Sequence, residues 1–168
     1  MRKGEKGILA AIAVIVVMFV GINSYRQKND AGLDKGIPFY STATTEVRDN
    51  AAALIRRLDC RECHVLWAVR TMTQAVPAPS LDGIGSLRDE AWLFRYLSAE
   101  KPQEILPSRL KPEYRMPSYA GLPETERRTL ASYLASLKVQ DWYLTESRKA
   151  EYEKLTGKVY QPEAGRAQ

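Results

Sequence analysis

The sequence predicts an all-α protein: a small helical domain with an N-terminal apolar helix and a C-terminal helical extension. Three observations carry that expectation. Apolar residues recur at helical spacing in three stretches, each opened by a capping residue or a proline. No convincing strand pattern and no internal repeat are visible. Between the second and third helices, Pro102, Pro107, Pro112 and Pro117 fall every five residues, a spacing that neither a helix nor a central strand tolerates.

In chain order, residues 1–22 read as a membrane anchor. A short basic start containing Arg2, Lys3 and Lys6 precedes the apolar run Ile8 to Ile22, fifteen residues interrupted only by Gly21. That length lies at the upper end of a signal-peptide core and slightly below a usual spanning helix. Bulky residues three before each plausible cleavage point (Phe19, Ile22) favour an uncleaved transmembrane helix over a cleaved signal. Basic residues flank both ends, with Arg26, Lys28 and Lys35 after the run, so charge alone does not orient the segment. Residues 23–44 are polar and Gly-containing and read as a linker, with Phe39 and Tyr40 as an apolar knot that can pin it to the domain.

The domain proper is expected over residues 45–138. Thr45 is placed to cap a first helix with Glu46 and Asp49 in its first turn and Val47, Ala51, Leu54, Ile55 and Leu58 on one stripe. Ser86 to Asp89 has capping-box spacing and leads into Trp92, Leu93, Tyr96 and Leu97. Residues 102–121 form the proline-stiffened loop. Pro123, with Glu124 and Glu126 behind it, opens a third helix with Leu130, Tyr133, Leu134 and Leu137 on its stripe, closed by Lys138. Residues 139–168 form a helical extension, from about Asp141 to Leu155 and ended by Gly157, followed by a tail.

Composition narrows the function. The chain has 168 residues and a net charge of +5, scattered rather than gathered into a basic run, so nucleic acid is not expected as a partner. Residues 1–22 hold three basic and one acidic group, which leaves 22 minus 19, or +3, for the remainder. There are two Cys, one His and four Met. That set is too small for a disulfide scaffold, and for a closed zinc site unless a carboxylate joins it.

The scarce soft ligands have a telling order. Cys60-Arg-Glu-Cys63-His64 has the spacing for covalent haem attachment, in which two thiols add to the haem vinyl groups and the adjacent imidazole ligates the iron. A thioredoxin-like redox pair shares the Cys-x-x-Cys but needs a βαβ context that is missing here. A structural zinc site lacks a second cysteine pair. Chance remains an alternative, because the motif fixes only three positions. For the second axial ligand, His64 is the only histidine, and Met1 and Met18 lie in the N-terminal segment. Met72 is only eight residues past His64, whereas Met116 is 52 residues downstream at the end of the stiff loop. Met116 is thus the expected ligand, against the alternatives of a core methionine, a lysine ligand or an open site.

With Ala78-Pro79-Ser80-Leu81, Arg115-Met116-Pro117 and the Leu130-x-x-Tyr133-Leu134-x-x-Leu137 helix, the motif resembles class I c-type cytochromes over roughly residues 45–138. The resemblance implies that fold around one haem c bound through Cys60 and Cys63, with iron ligated by His64 and Met116. It also implies that the Pro79 carbonyl accepts the imidazole N–H, with Pro77 as the competing proline, and that the first and last helices of the domain cross near Leu54 and Tyr133. The family's glycine at that crossing is absent, and Ala51 or Ala52 stands in its place. Trp92 and Tyr96 are candidates for the pocket wall, and Arg88, Arg95, Arg109 and Arg115 for the propionates.

Haem attachment of this kind resembles that carried out outside the bacterial cytoplasmic membrane. The sequence therefore predicts a single-pass inner-membrane protein with its domain in the periplasm. It would pass single electrons between a quinol-oxidising complex and a terminal oxidase or reductase, without itself being an enzyme. Two other readings remain: a fixed subunit of a larger oxidoreductase, docked through Trp142, Tyr143, Tyr152 and Tyr160, and a haem sensor or peroxidase with Met116 displaced.

Overall fold

A computed structural model of the chain describes residues 3–30, 36–72, 76 and 78–161. The chain divides into two units, residues 1–36 and 37–168. The first unit is one helix, α1 (Lys3–Asp30), which extends through the first part of the expected linker.

The expected membrane span does not hold. Among the described residues, no helix is long and apolar enough to cross a membrane. The physical reason is the length of the apolar run: fifteen residues at 1.5 Å each reach about 22 Å, short of the ~30 Å of a hydrocarbon core. The expected localisation, a single-pass inner-membrane protein with its domain in the periplasm, is corrected with the span.

The second unit is mostly helical, in agreement with an all-α class. Its elements run β1 (Phe39–Ser41), α2 (Thr45–Arg57), a 3₁₀ turn at Cys60–Glu62, α3 (Ile84–Leu87), α4 (Glu90–Leu97), α5 (Pro102–Ile105), a 3₁₀ turn at Pro112–Tyr114, α6 (Glu124–Ser136), β2 (Leu137–Val139), a 3₁₀ turn at Asp141–Tyr143 and α7 (Leu144–Thr156). Helix α6 is central and packs against both α2 and α4. Its Leu130, Ala131, Tyr133 and Leu134 join Ala51, Leu54 and Ile55 of α2 and Leu93 and Leu97 of α4 in one core. Ala51 and Ala131 are fully buried, and Arg57 of α2 pairs with Glu126 of α6 at the surface.

The caps differ by small steps from the sequence expectation. Thr44, one residue earlier than Thr45, caps α2 by accepting the Val47 N–H at 3.3 Å. Asp89, not Ser86, caps α4 by accepting the Trp92 N–H at 2.7 Å. Ser86 lies inside the single turn of α3, and its hydroxyl accepts from Val139 N at 3.0 Å. The proline-spaced segment does contain a helical turn, α5, because Pro102 occupies its first turn, where the missing N–H costs nothing.

The two-stranded sheet was not foreseen. β1 pairs antiparallel with β2 in the register Phe39↔Val139, Tyr40↔Lys138 and Ser41↔Leu137. Thr42 N donates to Ser136 O at 3.0 Å, and Gln140 N donates to Pro38 O at 2.8 Å. Phe39 also meets the Tyr143 ring edge-on at 5.5 Å. The last residues of the expected linker therefore belong to the domain. Helix α6 ends at Ser136 and not at Lys138, because Leu137 leaves helical geometry to enter this pairing.

Candidate functional site

Cys60, Cys63, His64, Pro79 and Met116 line one cavity of about 480 Å³. The segment that carries the first three is set by a break in the helix. Leu58 closes α2, Asp59 takes a left-handed conformation (φ 50°), and the 3₁₀ turn at Cys60–Glu62 follows. His64 N donates to Cys60 O at 3.0 Å, holding the imidazole-bearing residue over the cysteine turn. The His64 Nδ1–H donates to the Pro79 carbonyl at 2.7 Å. That bond fixes the tautomer and leaves Nε2 with its lone pair available as a ligand. Pro77, the competing proline, lies outside the described residues.

The bond between His64 and Pro79 is one rung of a longer tie. Leu81 N donates to Val65 O at 2.9 Å, and the Ser80 hydroxyl donates to the same carbonyl at 3.3 Å. Beyond it the chain reverses at Leu66–Val69, where Trp67 and Ala68 both have positive φ (57° and 56°). Neither residue is suited to that geometry, which costs roughly 1–2 kcal/mol each. The buried Asp82 carboxylate compensates by accepting both N–H groups, from Trp67 and, at 2.8 Å, from Ala68. Asp82→Ala is expected to lower stability by about 2–4 kcal/mol, the range set by losing two charge-assisted hydrogen bonds. Asp82→Asn, which keeps one acceptor oxygen, is expected to fall between; denaturant unfolding of the three proteins checks the order.

Met116 arrives from the proline loop. Its carbonyl accepts from Gln103 Nε2 at 2.8 Å, and the Ser118 hydroxyl donates to Ala99 O at 2.8 Å, so the loop is tied to α5 and the end of α4. Met116 is half-buried against the core cluster, whereas Met72 is fully exposed. Trp92 and Tyr96 of α4 stack at 5.1 Å and line the cavity, with Leu81, Ile84 and Leu93 filling in its apolar wall. Of the four arginines considered for acidic groups of a ligand, Arg115 lines the cavity.

The chain matches no family model, no curated protein and no solved structure.

Burial pushes the Cys60 thiol up, against the smaller opposing effects of backbone and Tyr119 hydrogen bonds. Burial also raises Cys63, with the charge of Glu62 adding to it. Redox-active Cys-x-x-Cys pairs have a lowered thiol pKa, so these directions oppose a thioredoxin-like reading. Burial holds the His64 imidazole below its usual value, and the bond to Pro79 acts the other way. Tyr119, beside Cys60, is pushed up to about 12, mainly by burial and then by that thiol. Among the described residues, no three His, Cys, Asp or Glu side chains gather as they would around a bare metal ion. Two thiols, one imidazole and one thioether line one largely apolar cavity, and soft donors of this kind could hold a metal-bearing macrocycle.

Three contributors lie outside the sequence expectation. Asp82 directly follows the Ala78–Leu81 motif, but nothing local marks Trp67-Ala68 as a left-handed turn in need of it. Tyr119 sits three residues past Met116 without a motif. Glu151 lines the cavity from α7, a helix whose charge pattern reads as solvated.

Proposed function

We propose that the chain is a monohaem c-type electron-transfer protein of class I cytochrome character. Cys60 and Cys63 would hold haem c by thioether bonds, His64 and Met116 would ligate its iron, and Pro79 would orient His64. The observation that carries this reading is the convergence of those five residues, spread over 57 positions (60 to 116), on one apolar cavity, with the His64 tautomer fixed by the Pro79 carbonyl. The haem would supply a one-electron couple between ferric and ferrous iron.

The chain's own part is to hold that couple dry and fully ligated. A thioether ligand favours the reduced iron and raises the potential relative to a nitrogen ligand. With His64 and Met116 both ligating it, the iron would have no open position for oxygen or peroxide, which separates this reading from a sensor or peroxidase. The apolar wall of Leu81, Ile84, Trp92 and Leu93 limits the solvent rearrangement that accompanies electron transfer. Partners are then redox proteins, and the electron passes with no substrate bond made or broken.

The test is production of the full chain together with a c-type haem attachment system. The expected product gains the mass of one haem, retained after denaturation and solvent extraction. Met116→Ala is expected to keep the covalent haem while losing the long-wavelength band of methionine–iron ligation in the oxidised protein. The variant is also expected to gain carbon monoxide binding when reduced. A wild type that carries no covalent haem, or that binds carbon monoxide promptly, counts against the proposal.

A further inference from the structure

Helix α7 lies beyond the end of the cytochrome resemblance, yet Glu151 and Leu155 on it line the same cavity as Cys60, His64 and Met116. The helix is fastened to the domain. Arg109 Nε, from the proline loop, donates to the Lys154 carbonyl at 3.0 Å. Glu151 Oε1 pairs with Arg88 Nη2 at 3.3 Å, with side chains only 14% and 24% exposed. The Arg88 guanidinium also lies over the Trp92 ring, 5.1 Å from its centre, and donates to the Leu87 carbonyl at 2.9 Å. The charge pair thus stands against the aromatic wall of the cavity. Asp59, Glu62 and Glu113 also line the cavity but are exposed, so water and salt screen them. Glu151 is the carboxylate among the described lining residues that is shielded.

We propose that the Glu151–Arg88 pair sets the reduction potential of the group bound in this cavity, with Glu151 stabilising its oxidised state and Arg88 its reduced state. The inference rests on the haem reading above. Oxidation of a bound iron adds one positive charge to the cavity. A shielded carboxylate on its wall favours that charge, and a shielded guanidinium opposes it, each more strongly than an exposed residue at the same distance. Burial pushes the Glu151 carboxyl up while Arg88 works against that, so the pair holds a carboxylate in a place where an isolated one would tend to take up a proton. The C-terminal extension is then part of the redox site, and its sequence tunes the driving force for electron transfer.

Potentiometric titration of the full, haem-loaded chain at mildly alkaline pH tests this. Glu151→Gln is expected to shift the reduction equilibrium roughly tenfold toward the reduced state, about 59 mV upward for one electron. Glu151→Asp, which keeps the charge, is expected to restore most of the wild-type value. Arg88→Gln is expected to shift the potential downward, opposite in sign to Glu151→Gln, whereas simple loosening of the site by either variant would move both the same way. Shifts of the same sign, or a Glu151→Gln protein that carries haem at an unchanged potential, overturn the inference while leaving the haem reading intact. A wild type with no covalent haem overturns the reading and the inference together.

Discussion

A chain in which Cys60 and Cys63 are both replaced by alanine is expected to lose cooperative unfolding along with the haem proposed for it. The argument is one of volume. The cavity measures about 480 Å³ and is lined mostly by apolar side chains from α2, α4, α6 and the proline loop. Keeping such a cavity open and dry costs on the order of 10 kcal/mol at ~24 cal/mol per Å³, comparable to the 5–15 kcal/mol by which whole domains are stable. Letting water in avoids part of that cost but wets Leu93, Leu130 and Leu134, the residues that join the cavity wall to the core. Local helical elements offer no reserve: α3 and α5 are single turns of four residues each, too short to persist alone. Circular dichroism of the double variant is therefore expected to show reduced helicity and a broad thermal transition, with residual helix mainly in the longer elements. Native-like dichroism with a sharp transition would show that the polypeptide closes the cavity by itself. His64→Ala is expected to be milder, since the thioether bonds would still retain the haem as a filler.

How much was visible in the sequence depended on whether the deciding contact was local. The three longer helices of the domain were legible because their stripes and caps lie within one or two turns, and the cap errors there are one residue, Thr44 for Thr45, and three residues, Asp89 for Ser86. The cysteine–histidine turn was legible for the same reason. The sheet was not, because Phe39 and Val139 are 100 positions apart and three-residue strands carry no readable alternation. The N-terminal run misled because apolar composition was clear while length, the quantity that decides a span, was marginal. Glu151 was invisible for a different reason: on α7 it is one acidic residue among several, and only the packing against Arg88 and Trp92 distinguishes it from Glu146 or Glu153. Local pattern thus located the cysteine–histidine side of the candidate site. Its far wall depends on the tertiary arrangement of the loop and the extension.

Gly85→Ala is expected to be the most damaging glycine-to-alanine change among the described glycines of the domain. Gly85 lies in α3, and a Cβ there would stand 2.0 Å from the Ala135 carbonyl oxygen and 2.5 Å from its carbon. Those are backbone atoms near the end of α6, so no rotamer change relieves the overlap. Helix α3 must move away as a unit. That displacement strains the Lys138 Nζ bond to Gly85 O and the Val139 N bond to Ser86 Oγ, and it shifts Ile84 on the cavity wall. Ordinary overpacking costs about 1–3 kcal/mol, and this substitution is expected at or above the upper end of that range. Gly83→Ala makes an informative comparison. Its Cβ would meet Val139 Cγ1 at 2.1 Å, a side-chain atom that can turn aside, but its φ of +76° adds backbone strain of about 1–2 kcal/mol. Gly121→Ala, with nothing within 4 Å and no positive φ, is expected to be neutral or to stabilise by up to about 1 kcal/mol through the unfolded chain. Denaturant midpoints should therefore rank Gly121→Ala above wild type or level with it, then Gly83→Ala, then Gly85→Ala. The absorption of the proposed haem should shift in the Gly85 variant as well, because α3 joins the α6 backbone to the wall that Ile84 builds. A Gly85→Ala protein within 1 kcal/mol of wild type would mean that α3 can slide on α6 without disturbing that wall, and the close approach of the two backbones would then have no part in holding the cavity's shape.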